Sequence, residues 1–247
     1  MTEPSETDAQ HLLQYPQTDL KKEGFSAIPQ PAAIAGSVYF GQPDTSSDPA
    51  LGTFWVGELD GPLPASPIPR IPAIFMRVGL EVVQELALAM EDDQAIVLQR
   101  FARGKHCYVA RVEGRIASYG WVTFDEEGIG ELGISVRLQT GEAYIWGCAT
   151  LPAYRGQRLY PALLAYIIHD LQRNGIHRAW IGADADNQAS QNGLVVAGLQ
   201  PVADAVLTMN RLWVRGRPGV PEQIVADARR AMYGTQDSAW LDTRPSV

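Results

Sequence analysis

The chain has 247 residues, 46% hydrophobic and 19% charged, a balance that builds a packed domain and excludes a wholly disordered chain. Its formal net charge of -8 leaves no general cationic field to gather nucleic-acid phosphates or an anionic membrane surface, so neither partner is expected. The two cysteines, Cys107 and Cys148, lack the Cys/His spacing of a zinc site, which predicts free thiols, no metal and a reducing compartment.

The first ten residues, MTEPSETDAQ, have neither the basic start nor the apolar run of a signal peptide. No apolar stretch reaches the roughly 18 residues that span a bilayer, so the expected location is the cytoplasm. Residues 1–52, rich in Pro, Ser, Gln, Asp and Gly, read as a loosely ordered arm with one apolar patch, Ala32 to Phe40, of strand length. Thr53 to Leu59 reads as a strand, and the closely spaced prolines of GPLPASPIPRIP then predict a linker, so 53–72 is expected to be a strand plus linker.

An organised domain is expected over 73–214. In GLEVVQELALAM, the residues Val82, Val83, Leu86, Leu88, Ala89 and Met90 give a broad helical face, and a second helix is expected over Asp93 to Ala102. HCYVARV and RIASYGWVTF, separated by Glu113 and Gly114, have the pattern of a hairpin. After a glycine-rich turn, LGISVRL and EAYIWGCATL continue the strands. From Gln157 the period becomes helical through Leu163, Leu164, Ile167, Ile168 and Leu171, with Pro161 tolerated in the first turn and Asn174-Gly175 as a stop. The strand HRAWIGA follows, then a helix capped by Asp186 or Asn187 and ended by Gly198, then the β-rich VLTMNRLWV. Residues 215–247 are expected to hold a short docked amphipathic helix, with Ile224, Ala228 and Met232 along one side, and a tail. The fold class is therefore mixed α/β (α+β), with helices flanking a largely antiparallel sheet.

Chemistry concentrates at CATLPAYRGQRLYPALL, a strand-to-helix junction, because a helix start offers unpaired N–H groups and a positive dipole end to a pyrophosphate. The run Thr150-Leu151-Pro152-Ala153-Tyr154-Arg155-Gly156 resembles the approach to the acyl-CoA pyrophosphate loop of the GNAT superfamily. Asn187, Ser190 and Gly198-Leu199 stand where that family opens and closes its next helix, so the resemblance runs in order over 73–214. It implies the GNAT N-acyltransferase fold, with the sheet splayed at the cofactor strand. It also implies direct transfer of an acyl group, acetyl by default, from acetyl-CoA or another acyl-CoA to a primary amine of a small molecule or peptide, by a monomer or homodimer. On this resemblance Arg155, Gly156, Gln157, Arg158, Leu159 and Tyr160 would hold the pyrophosphate, and Cys148, Ala149 and Thr150 would orient pantetheine and thioester. Asn187 and Ser190 would flank the cofactor's far side.

Two positions depart from the family pattern. Arg158 stands where a glycine is expected and Tyr160 where a small residue is, and the Arg158 guanidinium could turn onto a phosphate. Leu194 occupies the place of the tyrosine that protonates the leaving thiolate in many relatives, which leaves Tyr160, another group or water for that task. For the base, alternation along EAYIWGCAT puts Glu142, Tyr144, Trp146 and Cys148 on one face, with Glu142 the carboxylate among them and Glu131 in reserve; either glutamate also reads as a solvated strand end. The alternatives are a non-catalytic acyl-CoA-binding or regulatory protein of the same fold, and transfer to a hydroxyl. Gly128, Gly130 and Gly133 spell a dinucleotide motif but lead into a strand, so they read as a turn. Cys148 reads as a buried small hydrophobe, and Tyr119, Trp121 and Trp146 as core or acceptor-pocket aromatics.

Overall fold

The computed structural model of the chain describes residues 48–130, 132, 134–208 and 211–232. The N-terminal arm with its apolar patch, Glu131, Gly133 and the tail lie outside the described residues. In chain order the strands are β1 (Ala50–Glu58), β2 (Ile74–Val78), β3 (His106–Val112), β4 (Arg115–Thr123), β5 (Glu126–Ile129), β6 (Ile134–Arg137), β7 (Glu142–Thr150), β8 (Arg178–Asp184), β9 (Gln200–Thr208) and β10 (Arg211–Gly216). The helices are α1 (Val83–Met90), α2 (Gln94–Ala102), α3 (Leu159–Arg173), α4 (Gln188–Val196) and α5 (Glu222–Ala231).

Eight strands form one sheet in the order β10-β9-β1-β8-β7-β4-β3-β2, and β5 with β6 forms a separate two-stranded ribbon. All neighbours in the large sheet are antiparallel except β7 and β8, which run parallel from Glu142↔Arg178 to Ile145↔Ile181. That parallel step follows from α3, which carries the chain back across the sheet between the two strands. The fold is thus the mixed α/β class the sequence predicts.

Alternation along each strand splits the core between two faces. On one, Leu163, Leu164, Ile167 and Leu171 of α3 and Leu194 of α4 pack on Ile145 and Ile181. On the other, Val83, Leu86 and Val97 of α1 and α2 meet Val109 and Trp121, while Ala228 and Ala231 of α5 and the ribbon residues Ile134 and Val136 meet Phe54, Tyr144 and Trp180. Each such aliphatic side chain contributes about 1.5–3 kcal/mol by leaving water.

Several sequence expectations change in this setting. β1 is no appendage, for it lies inside the sheet and pairs with both β8 and β9. The proline-rich segment is not a free linker either: Arg70 N–H donates to Gln157 O (2.9 Å) and Arg70 Nη1 to Gly156 O (3.2 Å), while Ile71 and Ala73 pack against Val112, Ala117 and Leu159. The short apolar run IFMRV ahead of the first helix is the edge strand β2, the polar-looking EEGI forms β5, and VLTMNRLWV divides into the facing strands β9 and β10. The helix expected from Gly79 begins with a 3-10 turn, Leu80–Val82, before α1.

α5 is fastened by charge. Glu142, 2% exposed, takes Arg230 Nη2 at 2.8 Å and Nη1 at 3.3 Å, the backbone N–H of Gln139 at 3.0 Å, and lies 3.6 Å from Arg178 Nη1. Arg178 continues to Asp227 (2.8 Å) and Glu58 (2.9 Å), so α5 is tied to the starts of β7 and β8 and the end of β1. Removing one member of a buried, hydrogen-bonded pair costs about 3–5 kcal/mol. Arg230→Ala, leaving Glu142 with Arg178, is accordingly expected to lower unfolding stability by about 3 kcal/mol in a urea titration.

Candidate functional site

The site grows from an irregularity in β7. Tyr119 of β4 faces Ala149 and Trp121 faces Trp146, so β7 carries one residue more than its partner between those pairs. Gly147 absorbs the extra residue with φ of 54°, a left-handed conformation that glycine adopts without a Cβ penalty. The bulge reverses the alternation beyond it. Tyr144 and Trp146 face the α1/α2/α5 side, whereas Cys148 packs on the α3 side with Ile145. The expected single face running from Glu142 to Cys148 is therefore corrected: a period of two cannot anticipate a bulge.

The same point is where β7 and β8 part. Their last paired residues are Ile145 and Ile181, yet β7 runs on to Thr150 and β8 to Asp184. Burial falls at once, from buried Tyr144 and Ile145 to half-buried Trp146 and exposed Gly147, and from buried Ile181 to exposed Gly182. Backbone groups of 146–150 that point away from β4 thus face a cleft and no strand. The sheet is splayed at the strand where the sequence resemblance implied it.

α3 begins at the end of this strand. Leu151 N–H returns to Ala117 O (2.9 Å), Pro152–Tyr154 makes a 3-10 turn, and Arg155 Nε donates to Thr150 O (3.3 Å). Gly156 has φ of 77° and Arg158, the N-cap residue, φ of 59° and ψ of 23°. No side chain caps α3, and Pro161 brings no N–H, so the first turn presents backbone donors and its dipole end. The left-handed conformation of Arg158 explains why a glycine suits this place, and why an arginine there is strained by about 1–2 kcal/mol.

Across the cleft, α4 opens with Asn187 as N-cap, its Oδ1 accepting from Ser190 N–H at 3.0 Å. Ser190 Oγ lies 3.0 Å from the Tyr160 hydroxyl, which bridges α3 to α4. The Tyr160 ring lies against Gly193, where a Cβ would meet Cδ1 at 2.5 Å. Burial raises the pKa of this phenol and keeps it protonated. Cys148 Sγ occupies the space left by the missing side chain of Gly120, where a Cβ would come within 2.7 Å. Burial pushes its thiol up to about 12, so Cys148 is a neutral filler and no thiolate nucleophile. Leu194 is fully buried in the core and does not reach the cleft.

Cys148 to Tyr160, Asn187 and Ser190 therefore gather around one cleft. Glu142 does not join them. It sits at the opposite end of β7, seven residues from Ala149 and so about 23 Å away along the strand, with its carboxylate held by Arg230 and Arg178. That placement corrects its reading as the base and also its bland reading as a solvated strand end.

On the other face a group that sequence reasoning missed lies beside Trp146. The Arg100 guanidinium of α2 stands 4.8 Å from the Trp146 ring centroid and 5.2 Å from that of Trp121, and the two indoles stack 6.1 Å apart. Arg100 reads as an ordinary exposed helix position in the sequence, since nothing local signals that α2 turns it onto two tryptophans from distant strands. Among the described residues no group of three or more His, Cys, Asp or Glu is placed to hold a metal, and no helix is long and apolar enough to cross a membrane.

With this geometry in view, residues 77–192 match the family model described as the Acetyltransferase (GNAT) family, and they form a GNAT acetyltransferase domain. Among solved structures, the chain is similar to a GNAT-family acetyltransferase from Novosphingobium aromaticivorans at 18% identity and TM-score 0.42, over 62% of this chain and 60% of that one. It is likewise similar to a GNAT-family acetyltransferase from Colwellia psychrerythraea at 13% identity and TM-score 0.45, over 63% of this chain and 54% of that one. A third, an acetyltransferase with acetyl-CoA from Clostridium acetobutylicum, aligns at 13% identity and TM-score 0.40 over 52% of this chain and 90% of its own. The chain thus spans 60% and 54% of the length of the first two structures. No curated protein matches the sequence.

Relieving the left-handed arginine gives a direct check on this loop. Arg158→Gly is expected to raise folding stability by roughly 1 kcal/mol, read as a higher melting temperature in calorimetry.

Proposed function

We propose that the chain is an acyl-CoA-dependent N-acyltransferase, acetyl-CoA being the default donor, acting on a primary amine of a small molecule or peptide. The observation that carries the reading is the coincidence of two features on one strand: β7 leaves β8 after Ile145, and the same strand ends in the uncapped start of α3. The gap between the two strands and a ready anion site then adjoin each other. The proposed domain runs from β1 through α5.

In this reading the first-turn N–H groups of α3, Arg155, Gly156, Gln157, Arg158 and Leu159 hold the pyrophosphate. Arg158 adds a guanidinium where the family offers backbone alone. Cys148, Ala149 and Thr150 orient the pantetheine and thioester, with a backbone N–H of this stretch directed at the acyl oxygen. Asn187 and Ser190 border the far side. Bound acyl-CoA supplies an activated thioester, whose carbon–sulfur bond breaks as the carbon–nitrogen bond to the acceptor forms. Tyr160, kept protonated by burial, holds the proton that a departing thiolate needs, in place of the residue at Leu194. Glu131 is retained as the group that takes the amine proton. It lies in sequence between Ile129, which ends β5, and Leu132 of the following turn, both of which pack in the cluster that contains Trp146.

Calorimetric titration with acetyl-CoA and free CoA tests the donor assignment, with micromolar binding expected and about tenfold weaker binding in Arg158→Gly through loss of a charge-assisted hydrogen bond. An unchanged or tighter complex in that variant would remove Arg158 from the phosphate site. Turnover is then measured side by side on amine and hydroxyl acceptors. Binding without turnover on either would favour the non-catalytic reading of the fold. Tyr160→Phe and Glu131→Gln are each expected to lower kcat roughly a hundredfold while donor affinity holds.

A further inference from the structure

The donor's phosphate site and α3 lie on one face of the sheet, so an acceptor reaches the thioester from the other face. Trp146 marks that entrance, because it is the first residue of β7 beyond the last β7–β8 pair and its side chain turns toward α2. Arg100 covers it, its guanidinium centred 4.8 Å from the Trp146 ring.

This arginine has donors to spare. Its side chain is 23% exposed, Nη2 stands 3.9 Å from Asp92 Oδ2, the outer limit of an ion pair, and Nη1 lies 3.9 Å from the Met90 sulfur. An arginine carries five N–H donors, and among the described residues no close carboxylate takes a pair of them. The indole N–H groups of Trp146 and of fully buried Trp121 have no hydrogen-bond partner, a condition they share with Trp55 and Trp180 elsewhere in the core. Glu127, the other acid that acts on Arg100, lies 3.4 Å from Lys105 Nζ, which also holds Asp125 at 2.6 Å, and its buried Oε2 has no hydrogen-bond partner. The remaining titratable neighbours, the half-buried Tyr119 phenol and the buried Cys107 thiol, are both kept neutral by desolvation. Burial opposes the charge on Arg100 and lowers its pKa, as for a cation whose counter-ion is still to come.

We propose that Arg100, seated on Trp146 and Trp121, is the acceptor-recognition element, and that the acceptor amine carries a carboxylate which binds this guanidinium fork. The inference rests on the reading of the cleft as an acyl-transfer site. A planar fork of donors matches a carboxylate in two parallel hydrogen bonds, and the indole platform fixes the fork's plane. An amine a few bonds from such a carboxylate then meets the thioester beside the Gly147 bulge.

The test is a tryptophan-fluorescence titration of the full chain with free L-amino acids and with the matching amino amides, which keep the amine and lose the carboxylate. At least one amino acid is expected to bind about tenfold or more tightly than its amide, as charge-assisted hydrogen bonds imply. Arg100→Gln should abolish that preference while its melting temperature and affinity for acetyl-CoA stay at wild-type values. Arg100→Lys, which keeps the charge and loses the fork, should retain only part of the preference and decides the matter if the glutamine variant does not fold. Equal binding of acids and amides by the wild type, or binding of neither, overturns the proposal. Acetyl-CoA calorimetry on the same preparations separates the two readings. Lost donor binding with a retained acid preference sinks the acyltransferase assignment alone, and the converse sinks only the role of Arg100.

Discussion

The parallel contact between β7 and β8 ends at Ile145 and Ile181, and most of what distinguishes this molecule depends on that early ending. A sheet is held by its ladders, and stopping one in mid-sheet leaves main-chain donors and acceptors that need another partner. Here the strands hold on at their outer sides, β7 to β4 and β8 to β1, so the gap between them costs the sheet no integrity. The Gly147 bulge works with the gap, turning Trp146 to one face and Cys148 to the other. Each strand then runs into a helix start, α3 after β7 and α4 after β8, and the Tyr160–Ser190 contact joins those two starts. The open space therefore sits between two positive dipole ends, where a doubly charged phosphate linkage is stabilised.

Three devices hold the cleft's walls in place. The interior strand β1 backs β8 along its length. The ion-pair chain Glu58–Arg178–Glu142–Arg230 secures the closed end of the β7–β8 pair and binds α5 over it. Arg70 grips the loop from outside through Gly156 and Gln157, so the loop's left-handed residues are braced by a segment far away in sequence. A pre-organised loop of this kind loses little further freedom when a ligand arrives.

How much of this the sequence disclosed depends on the range of the forces involved. The hairpin of β3 and β4, the helix α3 with its amphipathic face, and the Asn187 cap were legible because local periodicity and capping chemistry decide them. The loop that joins β7 to α3 was legible through its family pattern. The central position of β1 was not, since a strand's neighbours are chosen by long-range pairing that leaves no mark in its own residues. Glu142 misled for a related reason. Its partners Arg230 and Arg178 come from other elements, and nothing in EAYIWGCAT announces them. Arg100 was passed over because an arginine on a short helix is ordinarily solvated, and only the fold sets it against two indoles.

The interior seat of β1 has a consequence for the order in which the polypeptide can assemble. Thr53 hydrogen-bonds Asp204 across 151 residues of chain, and Gly52 faces Asp184. On a ribosome, this segment emerges well before β8 and β9, and its edges stay uncovered until they follow. The hairpin of β3 and β4 can form meanwhile, but the half of the sheet that includes β8, β9 and β10 closes only when the earliest strand is captured by the latest ones. High-separation contacts of this kind slow folding and prolong the exposure of unpaired strand edges. The nascent chain thus stays open to misassociation until β8 and β9 have been made.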